Sequence, residues 1–301
     1  MNRGVAIGLT AYVLWGLSPI FWRLGQGSSI DILTFRVLST FALLMGIQFV
    51  RDRAKAARAA LAVPGVKRAM LVSSVLLSSN WLGFIWAVNS DRVLEASLGY
   101  FLNPLVSVVL GVTVLGERLR SGQWAAIAVA AAGVVWLSVD LGEVPWVSLF
   151  LAITFALYGL IRKTAPVESL DGLSLEVSVM VPVAIVSLIV LSNNGDGVYV
   201  VEGVPGWIWV AGAGLMTSAP LLLFGVAARQ IPLWTVGVLQ YVTPTLQFLL
   251  GVLAYDEDWS GGQVVGYSII WIGLAAFAAE GVANARRGRP QTQEPEASVR
   301  R

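Results

Sequence analysis

Ten apolar stretches, each near the roughly 20 residues that a helix needs to cross a bilayer, follow one another along this chain, parted by short polar breaks. In hydrocarbon every backbone amide and carbonyl must find its partner within the protein, which restricts spanning segments to helices or closed barrels; runs of this length are helices. The spans are predicted at 4–24, 31–50, 70–90, 94–115, 122–138, 147–162, 174–191, 206–226, 233–254 and 263–282. The first run, Gly4 to Leu24, is too long for a secretory signal and has no small-residue cleavage site before Gly25, so it is read as a membrane helix. Composition agrees, because 56% hydrophobic residues against 13% charged exclude an ordinary water-soluble domain.

The charges set an orientation. Seventeen of the 20 lysines and arginines fall at the termini and in alternate breaks, with the largest group at Arg51, Arg53, Lys55, Arg58, Lys67 and Arg68. Arg23 and Arg92 lie on the other side, and Arg36 lies inside a span. Translocated loops tend to lack basic residues, so both termini are expected in the cytoplasm of a bacterial inner membrane, with the basic 51–68 segment on anionic headgroups. The opposite loops carry Asp31, Asp91, Asp140, Glu143, Asp196, Glu202 and the Asp256–Asp258 run, with Trp22, Trp146, Trp207, Trp209 and Trp259 near that face. The stretch 283–301 is polar and expected to be a disordered cytoplasmic tail.

The chain has no cysteine and no histidine, which removes thiol nucleophiles, imidazole bases and the usual zinc ligands. It also has no glycine-rich phosphate loop. No catalytic residue, cofactor, metal or nucleic acid is therefore expected; the expected partners are a small-molecule substrate and membrane lipid.

Shifting 96–139 by 140 positions onto 236–279 pairs Pro104 with Pro244, Gly111 with Gly251, Glu117 with Glu257, Gly122 with Gly262, Gln123 with Gln263 and Gly133 with Gly273. Apolar bias alone does not produce shared proline, glutamate and glycine–glutamine landmarks. The sequence thus predicts an all-α membrane protein of two five-helix repeats, 1–139 and 140–282. An odd number of spans inverts the second against the first, and exchanging the conformations of two such halves moves a cavity from one face to the other.

Polar groups inside spans must pair or line a wet cavity. Asn80 is predicted near mid-membrane beside Trp81. Pro104 and Pro244 each deprive a carbonyl one turn back of its donor, those of Tyr100 and Gln240, and are predicted to kink their helices. Tyr100, Asn103, Gln240, Tyr241 and Thr243 stand beside these kinks as candidate cavity residues, or as amides bonding across helices. Arg36 needs a partner, and Glu95 is the nearest carboxylate in predicted depth; an Arg36–Glu95 pair is expected as a gate, a binding pair or a structural ion pair. Glu95 is also the candidate for proton coupling. Gly4–Gly8 and Gly262–Gly266 permit close helix contact without establishing a dimer.

Several segments then resemble the RarD-type branch of the EamA family in the drug/metabolite transporter superfamily. They include Trp15–Trp22, Asn80–Trp81, Ile85–Asn89, Glu95–Leu105, Gly116–Leu119, Tyr158–Lys163, Pro220–Phe224 and Leu239–Thr245. The resemblance implies a ten-helix inverted-repeat carrier, adds Trp15 and Tyr158 to the candidate substrate-binding residues, and links the family by name to chloramphenicol sensitivity. The sequence departs from the pattern at Asp31 and Phe35, positions usually filled by glutamate and histidine, so a proton role for that histidine does not carry over. The expected function is secondary transport, as an exporter, of a small amphipathic metabolite or drug by alternating access. A ligand-binding sensor or partner subunit is the alternative, and a membrane-embedded lipid enzyme a further one.

Overall fold

The computed structural model describes residues 2–22, 24, 28–90, 92–140, 142, 145–193, 206–254 and 260–287. The described residues form helices and no strand: α1 (Arg3–Trp22), α2 (Ser29–Val50), α3 (Ala54–Ala60), α4 (Val66–Asn89), α5 (Val93–Thr113), α6 (Ser121–Asp140), α7 (Trp146–Thr164), α8 (Ser169–Asn193), α9 (Gly206–Gln230), α10 (Leu233–Gln240), α11 (Val242–Ala254) and α12 (Gly261–Arg287). Among the described residues eight helical segments are long and apolar enough to cross a membrane, with α10 and α11 counted as one. The long α4, with four serines and two asparagines, is not among them, and α5 contributes only a shorter apolar segment, Leu98–Thr113. The protein is a multi-pass helical membrane protein.

Nine of the ten predicted spans fall on one long helix each, with shifted ends, and the ninth, 233–254, falls on the two shorter helices α10 and α11. The basic segment contains the short α3, and α4 starts at Val66 rather than 70. Helix α8 begins at Ser169, and α12 runs to Arg287, so 283–287 is helical where a disordered tail was expected. The remainder of that tail, 288–301, lies outside the described residues, as do Glu257 and the rest of the Asp256–Asp258 run.

Local chemistry explains several ends. Ser28 and Asp31 form a capping box on α2: the Asp31 amide donates to Ser28 Oγ (3.3 Å) and the Ser28 amide to Asp31 Oδ2 (3.1 Å). Asp31 therefore has a structural task at the helix end. The two prolines act differently. Pro104 sits within a continuous α5, whereas the helix carrying Pro244 is interrupted at Tyr241, whose amide donates to Val238 O at 3.3 Å.

Helix α1 packs antiparallel to α9, and α6 antiparallel to α12, through small residues. A Cβ on Gly4 would stand 2.7 Å from Ile231, and one on Gly8 would stand 3.2 Å from Leu239, while Gly212 at the other end of α9 meets Phe21. Gly133 of α6 meets the Gly266 carbonyl of α12, and Gly273 meets the Ala126 carbonyl of α6, each at 2.8 Å from an added Cβ. The glycine pairs of the sequence are thus spent on contacts within the chain. The end of the bundle where α1 finishes is called the Trp22 end below, and the opposite one the Arg53 end.

Candidate functional site

A cavity of about 380 Å³ occupies the Trp22 half of the bundle, enclosed by residues of α1, α2, α4, α5, α7, α9, α10 and α11. Its volume lies within the range of small-molecule pockets. Of the residues expected there, Trp15, Asn80, Trp81, Tyr100, Asn103 and Gln240 line it, and so does Arg36. Tyr12, Phe84, Phe155 and Met216, which the sequence reading did not single out, line it too.

Asn80 and Asn103 spend their amide hydrogens on α7. Asn80 Nδ2 donates to Leu151 O and Thr154 Oγ1, both at 2.9 Å; Asn103 Nδ2 donates to Ala152 O at 3.2 Å, and its Oδ1 accepts from Ser107. These asparagines staple α4 and α5 to α7, and Asn80 keeps a carbonyl oxygen for the cavity. Thr243 does the same for α11, its hydroxyl donating to Tyr12 O at 2.9 Å.

Tyr158 and Tyr241 lie outside the cavity lining. The Tyr241 ring packs on Phe101 with a centroid distance of 6.3 Å, inside a separate apolar cluster with Tyr267 and Ile270. Tyr158 is one layer below the cavity. Tyr12, Trp15 and Phe155 form an aromatic floor with Phe224, on which Tyr158 stacks at 5.9 Å. Beneath that floor the Tyr158 hydroxyl donates to Glu176 Oε2 (3.3 Å), and Glu176 Oε1 accepts from Ser73 Oγ (2.7 Å) and Arg162 Nη1 (3.3 Å). Arg162 also donates from Nη2 to Ser169 O at 2.9 Å, and Gly225 leaves room for its guanidinium, since a Cβ there would stand 2.8 Å from Nη2.

Farther toward the Arg53 end, Asp171 accepts from Gln48 Nε2 (2.9 Å) and Arg53 Nη2 (2.8 Å), and Arg53 also pairs with Glu168 at 2.8 Å. The hydrogen bond and charge of Asp171 raise the Arg53 pKa above its ordinary value. This half of the bundle is closed by buried polar bonds where the other half is open.

The expected Arg36–Glu95 pair is not formed. Glu95 Oε1 is held by Arg92 Nη1 at 2.6 Å and Oε2 by the Val147 amide at 3.3 Å, so the carboxylate ties the start of α5 to the start of α7 and does not line the cavity. Arg36 instead donates from Nε to Thr217 Oγ1 at 2.9 Å, and its guanidinium lies over Trp81 (4.2 Å) and Trp22 (5.2 Å). The sequence reading missed the Arg162–Glu176 pair because it counted Arg162, the last residue of the predicted 147–162 span, with the basic residues of the adjoining break. Among the described residues no group of three or more acidic side chains could hold a metal ion.

Glu117, one of the positions that the 140-residue shift pairs, also has a defined task. Its carboxylate accepts from the Leu233 (2.7 Å) and Trp234 (3.0 Å) amides at the start of α10, where Pro232 offers no side-chain cap, and Lys163 Nζ is 3.6 Å away. Glycine at 111 admits it, because a Cβ there would stand 2.6 Å from Oε2. Glu117→Ala is expected to destabilise the protein by about 2–3 kcal/mol in thermal unfolding, since two charge-assisted bonds to orphan amides are lost, with Glu117→Gln intermediate.

A cavity with an aromatic floor in one half of a multi-pass helical membrane protein is the kind of site that a membrane transporter uses. Comparison with known proteins agrees: residues 2–139 match the EamA-like transporter family. An uncharacterized transporter of Pseudomonas aeruginosa is 38% identical, with 95% of this chain and 97% of the relative aligned. Protein RarD of Streptomyces exfoliatus is also 38% identical, over 97% and 93%. A crystal structure with 20% identity shares the fold with TM-score 0.69, over 93% of this chain and 98% of the other. The chain belongs to the EamA-like transporter family, in its RarD-type branch.

Proposed function

We propose that this protein is a secondary carrier, working as an exporter of a small amphipathic metabolite or drug, in which ten membrane spans form two inverted repeats, 1–139 and 140–282. Supporting the repeats, the 140-residue shift brings the starts of described helices into register: α2 at 29–50 on α8 from 169, α4 from 66 on α9 from 206, and α5 from 93 on α10 from 233. Contacts follow the same rule. Asn103 bonds Ala152 O as Thr243 bonds Tyr12 O, and Gly8 abuts Leu239 as Gly99 abuts Ser148. The Arg120 amide bonds Gln123 Oε1 as the Ser260 amide bonds Gln263 Oε1, both at 2.9 Å. Each pair maps onto the other when the halves are exchanged.

One observation carries the transport reading. The shift places Arg36 opposite Glu176 and Trp22 opposite Arg162, so Arg36 over Trp22 in the open half corresponds to Glu176 bound by Arg162 in the sealed half. Two equivalent sites in unlike states are what alternating access requires: exchanging them closes the Trp22 end and opens the Arg53 end. With the basic segments and both termini cytoplasmic, the cavity described here faces outward.

The test is counterflow. Purified protein is screened by thermal shift against amino acids, small aromatic metabolites and chloramphenicol, and any stabilising compound is followed as radiolabel in proteoliposomes preloaded with the same compound unlabelled. Saturable overshoot, lost in Tyr100→Ala and Trp15→Ala, is the expected result. Binding without counterflow would instead make the chain a membrane sensor.

A further inference from the structure

Resting on the carrier reading, we propose that Arg36 is a carboxylate-recognition point, and that the transported molecule is an aromatic or otherwise apolar monoanion. Arg36 is the sole charged residue among the described residues lining the cavity. It has no ion pair among the described residues: its contacts are the Nε bond to Thr217 and the faces of Trp81 and Trp22. Its two Nη groups donate to no acceptor among the described residues, yet neither is a sealed, unsatisfied atom, so they open onto the cavity.

The geometry is that of a prepared fork. The Trp81 face holds the guanidinium at 4.2 Å and Thr217 fixes its Nε edge, which leaves the paired Nη hydrogens for a planar, two-oxygen acceptor. Aromatic faces return part of the cost of holding a cation in the membrane interior, and an anionic ligand would supply the remainder. Around the fork the surfaces suit an uncharged body: Trp15, Phe84 and Phe155 are apolar, and the Tyr100 hydroxyl and Gln240 amide make no hydrogen bond among the described residues.

Cations are disfavoured on the same grounds. No carboxylate is found among the described lining residues, and Glu95 is spent on Arg92 and the Val147 amide. A single guanidinium matches one negative charge better than a dianionic phosphate, for which this cavity offers no second cation among the described residues.

The experiment compares three probes of one shape, phenylacetate, phenylacetamide and 2-phenylethylammonium, by calorimetric titration of the purified full chain at neutral pH. Phenylacetate is expected to bind at least about tenfold more tightly than the amide, the ratio for losing one charge-assisted bond. The ammonium is expected not to bind. Arg36→Gln is expected to erase the preference and Arg36→Lys to keep part of it. Equal binding of acid and amide by the wild-type protein, preference for the ammonium, or no binding of any probe would overturn the proposal without recourse to a variant. An acid preference that survives in folded Arg36→Gln would do so as well. Phenylacetate binding without counterflow would sink the carrier reading and leave the anion site standing; counterflow without acid preference would do the reverse.

Discussion

Neutralising either member of the Arg162–Glu176 pair is expected to open the Arg53 end of the protein. Both side chains are almost fully buried, at 1% and 0% exposure, so removing one leaves the other as an uncompensated charge, a loss of roughly 3–5 kcal/mol. A conformation that lets water reach the stranded group is favoured by the same amount, equivalent to roughly a 10²- to 4 × 10³-fold change in population. Leu173 reports the change. It is fully buried, whereas Leu33, 140 positions earlier, lines the open cavity, so the proposed exchange of the halves would bring position 173 into a cavity at the Arg53 end.

The chain has no cysteine, which makes Leu173→Cys a single labelling site. It is expected to resist a maleimide in the wild-type background and to react in Arg162→Met and Glu176→Gln. The swap Arg162→Glu with Glu176→Arg is expected to restore part of the protection. Ala130→Cys, on α6 and 3% exposed, separates opening from unfolding because it stays protected unless the bundle comes apart. Folded single variants in which Leu173→Cys remains unreactive would rule out the pair as the seal.

Much of this was legible in the sequence, for identifiable reasons. Hydrophobic runs of membrane length placed every long helix, because backbone satisfaction in lipid leaves a chain few options. Their ends shifted where capping rather than hydropathy decides: α8 begins five residues before its apolar run, at Ser169, because Asp171 and Ser169 are held by Arg53, Arg162 and neighbours on other elements. The cavity was partly readable, since prolines, amides and aromatics in spans are costly unless used. What failed was partner choice. Depth along a helix says nothing about azimuth, so Glu95 was matched to Arg36 at similar depth although α7 lies against it and takes the carboxylate. The Arg162–Glu176 pair was hidden because Arg162 sits at a helix end with basic neighbours and reads as a loop residue. A signal existed: extending the 140-residue shift beyond the proline-bearing helices aligns Arg36 with Glu176 and Trp22 with Arg162. The roles of Asn80 and Asn103 depend on carbonyls of α7, which no pattern in α4 or α5 specifies.

Widening the contact between α6 and α12 is expected to lower stability while leaving the cavity intact. Gly133→Val and Gly273→Val each place a side chain against a carbonyl of the opposite helix, Gly266 O or Ala126 O, 2.8 Å from where the Cβ must stand. Backbone cannot rotate away as a side chain end can, so the helices must separate, at a cost of about 1–3 kcal/mol for overpacking. The two glycines occupy equivalent places in one contact, so once the first substitution has parted the helices the second has less to disturb. The double variant is therefore expected to fall short of the sum. Gly46→Ala makes the contrast: nothing lies within 4 Å of its Cβ position, and it is expected to be neutral or slightly stabilising, as alanine is in a helix. Among the described residues, none that lines the cavity belongs to α6 or α12, so ligand affinity per folded molecule is expected to stay near wild type as the melting temperature drops. An unchanged melting temperature in both valine variants would mean that the close approach of these helices contributes nothing. A parallel loss of affinity would mean that this contact also shapes the cavity, making α6 and α12 part of the moving apparatus rather than its frame.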